Sequence, residues 1–115
     1  MKVRRFEPAD AIFGRSPGQD ADIFAANLAD QRHGGRITVG YGRYGSDQVL
    51  KTDILVDDVM VVLEGKLSVE ADGETLTAGP GEIIYMPKGS AVIIRSHAEG
   101  ALTAYVTYPH WSEAE

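Results

Sequence analysis

From Arg36 onward the apolar residues fall in short runs that alternate with polar ones or stop at turn residues, the rhythm of strands in a barrel or sandwich. The pattern predicts strands over residues 37–44, 48–55, 59–63, 66–71, 74–77, 83–86, 91–95 and 101–108, with almost no helix. Asp72-Gly73 is a two-residue hairpin signal, because a type I′ turn needs positive φ at both positions. Gly79-Pro80-Gly81 and Pro87-Lys88-Gly89 break the next two runs. The run 59–63 is apolar without interruption and predicts a strand buried on both faces. Before Arg36 the pattern is less regular: Pro8, Gly14, Pro17, Gly18 and Gly34-Gly35 predict an arm and loops over residues 1–35, in one domain with a barrel over 36–115. Residues 22–28 suit either a short helix opened by Asp20 or Asp22 or a strand, and strand is the favoured reading.

Length and composition narrow the classes. A chain of 115 residues with 43% hydrophobic content has room for one core. The formal charge of −6 counts against a phosphate-backbone partner, so no nucleic acid is expected. The basic residues Lys2, Arg4 and Arg5 precede no apolar run of signal-peptide length, and no stretch nears the roughly 18 apolar residues of a membrane span. There is no cysteine, which removes disulfides, thiolate nucleophiles and cysteine-based zinc sites and suits a cytoplasmic address.

Two spaced motifs organise the strand-rich part. Asp58 lies seven positions before Gly65, and Gly81, Pro87 and Gly89 follow the spacing glycine, five residues, proline, any residue, glycine. Fifteen residues separate Gly65 from Gly81. In these features the stretch from Arg36 to Pro109 resembles the cupin superfamily, and more closely its ethanolamine-utilisation protein Q (EutQ) type. The resemblance implies an all-β, cupin-type double-stranded β-helix, a jelly-roll barrel of two antiparallel sheets.

The departures from that pattern bear on chemistry. Counting back from Asp58, the two positions that carry metal-binding histidines in typical cupins hold Thr52 and Ile54, or Lys51 and Asp53 with a longer spacer; the third histidine position holds Val92. A transition metal needs imidazoles or several carboxylates converging on one point, and only Asp58 remains. No metal and no cofactor are therefore expected. Asp57 and Asp58 are neighbours on one strand and point to opposite faces, so one is solvated, and the motif puts Asp58 inside. There it is either a ligand contact or a structural carboxylate satisfied by its neighbours. Tyr105 matches a tyrosine on the last barrel strand of EutQ-type cupins and offers a hydroxyl, although Tyr41, Tyr44, Met60, Tyr85, Met86 and Tyr105 are chiefly core material. The candidate ligand-binding residues are Asp58, Thr52, Tyr105 and Lys51.

Other motifs carry less. The segment from Gly40 to Gly45 fits the dinucleotide pattern GxGxxG, but residues 46–56 are too rich in β-branched and turn residues for the helix a pyrophosphate needs; glycines that let a strand bend are the better explanation. Leu67 stands where a P-loop after Gly65-Lys66 would need Ser or Thr. His33, His97 and His110 are far apart and read as surface residues, although His110-Trp111 after Pro109 could cap one end of the barrel or pack on a partner. The leading expectation is a metal-independent cupin that binds a small polar molecule and forms a homodimer, with no membrane partner. The alternatives are a small-metabolite enzyme, doing acetate-kinase-like phosphotransfer as the resemblance implies or acid-base isomerase or lyase chemistry, and a structural assembly partner. Whether the chain is an enzyme stays open on these residues.

Overall fold

A computed structural model describes residues 2–113, and its elements are almost entirely antiparallel strands. They are β1 (Gly14–Arg15), β2 (Ile23–Ala29), β3 (Thr38–Tyr44), β4 (Val49–Asp53), β5 (Asp57–Ala71), β6 (Glu74–Ala78), β7 (Ile83–Met86) and β8 (Ala91–Tyr108). Single 3-10 turns at Pro8–Asp10, Gln31–His33 and Trp111–Glu113 are the only helical pieces among the described residues. No helix among them is long and apolar enough to cross a membrane.

Two long strands run through both layers of the barrel. The first half of β5 pairs with β7 and with the last part of β8, which continues through β3 and β2 to β1. The second half of β5 pairs with β6 and with the first part of β8, whose other neighbour is β4. This is the jelly roll the motifs imply. The expected strands 59–63 and 66–71 are one bent strand, and so are 91–95 and 101–108. The bend falls where the register shifts between Val62 and Leu67, around Gly65 and Gly100 at φ 74° and 68°. A side chain on Gly65 would run into the Gly100 carbonyl, and one on Gly100 into the Tyr44 carbonyl, so β5, β8 and β3 come this close because neither glycine has one. The turn chemistry holds as predicted: Asp72 and Gly73 both have positive φ, 52° and 77°.

Residues 23–29 form a strand, so the sheet starts within the first 35 residues, and the arm lies along its own chain, where the Tyr41 hydroxyl donates to the Phe6 carbonyl at 3.3 Å. The core between the layers is built from Met60, Val62, Leu67, Val69, Ile84, Met86, Val92, Ile94 and Tyr105. The 59–63 run does not bury both faces. Met60 and Val62 are buried, while Val59 and Val61 are half-buried and Leu63 is exposed, the period-two alternation of a strand with one face outward. Tyr85 likewise lies outside, 61% exposed, instead of contributing to the core.

Candidate functional site

The open end of the barrel holds a cavity of about 430 Å³. Its deep wall comes from inward positions of three strands: Gly42 and Tyr44 on β3, Asp58 and Met60 on β5, and Thr103, Tyr105 and Thr107 on β8. Period-two alternation puts them on one face, and register makes neighbours of Asp58 and Thr107, which stand opposite each other across the β5–β8 ladder. Met86 is the partner of Asp58 on its other side. Thr52 and Ile54 enter from β4 and the corner that follows it, and residues 16–19 of the loop between β1 and β2 close the remaining side.

The glycines of the GxGxxG segment shape this wall. Gly40 stands opposite Tyr105, and a Cβ there would lie 2.6 Å from the Tyr105 hydroxyl oxygen; Gly42 stands opposite Thr103, whose hydroxyl oxygen would lie 2.7 Å from a Cβ. The segment is strand β3, and its glycines make room for side chains of β8 where a nucleotide-binding turn would need a helix to follow.

All four candidate residues line the cavity, but in unequal ways. Asp58 is inside, as the motif requires, and its Oδ1 is buried with no hydrogen-bond partner among the described residues. Burial pushes its carboxyl up to about 6. Its neighbour Asp57 is exposed and accepts from the Lys88 backbone N–H at 3.0 Å, bracing the Pro87-Lys88-Gly89 turn. Thr52 and Asp58 reach the cavity from different strands, β4 and β5. Thr52 is half-buried and pairs with Val92, so two positions that hold histidines in typical cupins are cross-strand neighbours here. Lys51 and Asp53 alternate outward, which selects Thr52 and Ile54 as the inward-facing pair. The exposed Lys51 sits at the rim and also borders an outer depression beside Glu70 and Asp72.

Tyr105 is buried with its hydroxyl already engaged, donating to Asn27 Oδ1, which also accepts from Trp111 Nε1 at 2.9 Å. Its ring meets Trp111 edge-on at 6.4 Å. Burial first, then the nearby Asp58 charge, raises the Tyr44 hydroxyl, and burial dominates for Tyr105 as well, so both stay neutral. Two residues escaped sequence reasoning. Thr107 carries a buried hydroxyl without a partner among the described residues, and the β8 alternation outward from Tyr105 could have placed it inside. Gln19 lines the cavity from a loop, where no periodicity signals it. Of the histidines, His110 is no surface residue: it is buried, with Nδ1 2.7 Å from the Thr38 hydroxyl and Nε2 2.9 Å from the Gly35 carbonyl.

Thr52, Ile54 and Val92 present no imidazole, and among the described residues no three His, Asp or Glu side chains come together. The residues do not fit a cupin metal ion. Fold and site together define a cupin barrel whose metal-ligand positions have been replaced by hydroxyl and apolar side chains around one buried carboxylate. Residues 16–113 match the family model of the ethanolamine utilisation protein EutQ, and the chain belongs to that family.

The relatives agree. An acetate kinase EutQ from Salmonella typhimurium is 26% identical over 78% of this chain, which spans only 39% of that protein's length. A structure from Rhizobium leguminosarum bv. viciae 3841, of unknown function, is 59% identical with a TM-score of 0.81, covering 96% of this chain and 100% of that one. A Salmonella typhimurium LT2 protein named for ethanolamine utilization (EutQ) superposes with a TM-score of 0.82 at 25% identity, over 93% of this chain and 86% of that one. A cupin superfamily protein from Desulfitobacterium hafniense DCB-2 shares the fold alone, at 14% identity and a TM-score of 0.69 over 95% of this chain and 94% of that one.

Proposed function

We propose that the chain is a metal-independent binding cupin of the EutQ family that holds a small neutral or cationic polar molecule in its barrel mouth, against Asp58. One observation carries the reading: Asp58 and Thr107 face each other across the ladder in a 430 Å³ cavity, each with a buried oxygen that has no partner among the described residues. A structural carboxylate would be hydrogen-bonded, because burying an unpaired polar group costs on the order of 1–3 kcal/mol and more for a charge. The volume falls in the range of small-molecule sites.

Charge supports binding over phosphotransfer. The acetate-kinase name of the curated relatives implies anionic substrates, whereas the charged residues lining this cavity are Asp53, Asp58 and the outward-facing Lys51. A cytoplasmic location is part of the same reading and rests on the absence of cysteine. So is a homodimer, supported by the apolar outer face of β5, β7 and β8.

A thermal-shift screen of small amines, alcohols and carboxylates tests the proposal. Amines and alcohols should raise the melting temperature, since a ligand at about 100 times its Kd adds roughly 2.7 kcal/mol. Those shifts should vanish in Asp58→Asn. Hits confined to carboxylates or nucleotides, and indifferent to Asp58→Asn, would favour phosphotransfer. Metal analysis should find far less than about one transition-metal ion per chain, and a stoichiometric ion lost on Asp58→Ala would contradict metal independence.

A further inference from the structure

A third buried oxygen without a partner belongs to a residue that lines the same cavity. Gln19 Oε1 is buried and has no hydrogen-bond partner among the described residues. The other end of that amide is committed: Nε2 donates to the Ser16 carbonyl at 2.8 Å and to the Ile23 carbonyl at 3.2 Å. Reversing the amide would set Oε1 against both carbonyl oxygens, acceptor against acceptor, so the orientation is fixed by its surroundings. Gln19 can therefore offer the cavity only an acceptor.

The loop that carries Gln19 is itself held in place. The Ser16 N–H donates to the Ile23 carbonyl at 3.0 Å, and Gly18 takes the positive φ of 79° that the turn requires. Arg15 ties down the far side through the Asp20 carbonyl at 2.9 Å and the Asp22 carboxylate at 3.4 Å, with its guanidinium 5.2 Å from the Phe24 ring centroid.

The unpartnered set is thus two acceptors, Gln19 Oε1 from the β1–β2 loop and Asp58 Oδ1 from β5, and one hydroxyl, on Thr107, that can play either role. Apolar surface from Met60, Met86 and Ile94 lies in the same cavity. Building on the binding reading above, we propose that loop 16–19 is the second wall of the ligand site and Gln19 its specificity-determining residue. With Asp58 and Thr107 it selects a small organic cation with at least two N–H donors and a short apolar body. A primary or secondary ammonium satisfies both acceptors at once. A quaternary ammonium carries the same charge with no donor, and leaves both oxygens desolvated and unpaired.

Isothermal titration with n-butylammonium and n-butyltrimethylammonium separates these cases, because the two share charge and tail and differ in N–H donors. The wild-type protein should bind the primary cation at least about tenfold more tightly, the discrimination expected for hydrogen bonds to a charged group. Gln19→Ala should reduce that preference to about twofold by weakening the primary cation selectively. Arg15→Met, which loosens the loop but keeps the acceptor, should weaken both cations alike and leave the ratio standing. Equal wild-type affinities, or a ratio that Gln19→Ala does not change, would overturn the role of Gln19 and mean that solvent satisfies its oxygen, while an Asp58-dependent site would survive. If neither cation binds in a manner that depends on Asp58, the site itself falls.

Discussion

Asp58 carries opposite consequences for stability and for binding. Its carboxyl titrates at about 6 in the fold against 3.8 for the free side chain. Between those values the native state keeps a proton that the unfolded chain has released, so the contribution of this group to stability is fully present below about pH 4 and is lost as pH rises through about 6. The loss is on the order of 3 kcal/mol. Asp30 acts in the other direction: its hydrogen bond from Arg32 holds it below the usual carboxylate range, and its contribution is lost in acid. The wild-type pH profile is a sum of such terms, and only comparison with Asp58→Asn isolates one of them. Binding of a cation follows the ionised form. Affinity for n-butylammonium should rise by up to about tenfold per pH unit below about 6 and level off above about 7, as a titration series from pH 5 to 8 would show. An affinity flat across that range would remove the carboxylate charge from the site.

At the scale of elements, the turns and alternation were legible because they depend on local rules. Asp72-Gly73 needs only its own φ values, and β3 or β7 only its period of two. What the sequence hid was continuity: residues 59–63 and 66–71 read as two strands because Glu64 and Gly65 interrupt the pattern, yet β5 passes through them by a bulge that depends on Gly100 across the ladder. The function of Gly40 was hidden for the same reason, since its close partner Tyr105 is distant in sequence. Gly40→Ala should destabilise the fold by about 1–3 kcal/mol, as overpacking does, and displace Tyr105 from Asn27. Gly14→Ala, with no atom within 4 Å of the new Cβ, should change stability by less than about 0.5 kcal/mol. Chemical denaturation of both variants checks the pair, and equal effects would contradict the close-approach argument.

For the molecule as a whole, one motif residue led to the site and the rest of the site depended on the fold. Asp58 was found by its spacing from Gly65, and Thr52 by counting back from Asp58. Thr107 and Gln19 come into position only when β8 pairs with β5 and the loop after β1 closes over the mouth. Exposed apolar surface is also concentrated on one outer face of the molecule. Ile83, Tyr85, Leu63, Val106 and Tyr108 are all exposed large side chains on adjacent strands, and Val59 pairs with both Tyr85 and Val106. Two copies meeting through this face would bury it about a two-fold axis, the commonest symmetry of homo-oligomers. Light scattering should therefore return a dimer, and Ile83→Lys with Tyr85→Glu a monomer; a wild-type monomer at every concentration would contradict that use of the face.

A barrel that keeps a buried carboxylate for a ligand does so at a cost to its own stability. Thermal unfolding of the wild-type protein and Asp58→Asn at pH 8, each with and without saturating n-butylammonium, reads both the cost and its return. Asp58→Asn should melt higher than wild type in the absence of the cation, because the ionised group is the less stable one at that pH, and only wild type should gain further stability when the cation is added. An Asp58→Asn protein that melts lower than wild type and shows the same gain with the cation would mark Asp58 as a structural carboxylate with no part in binding.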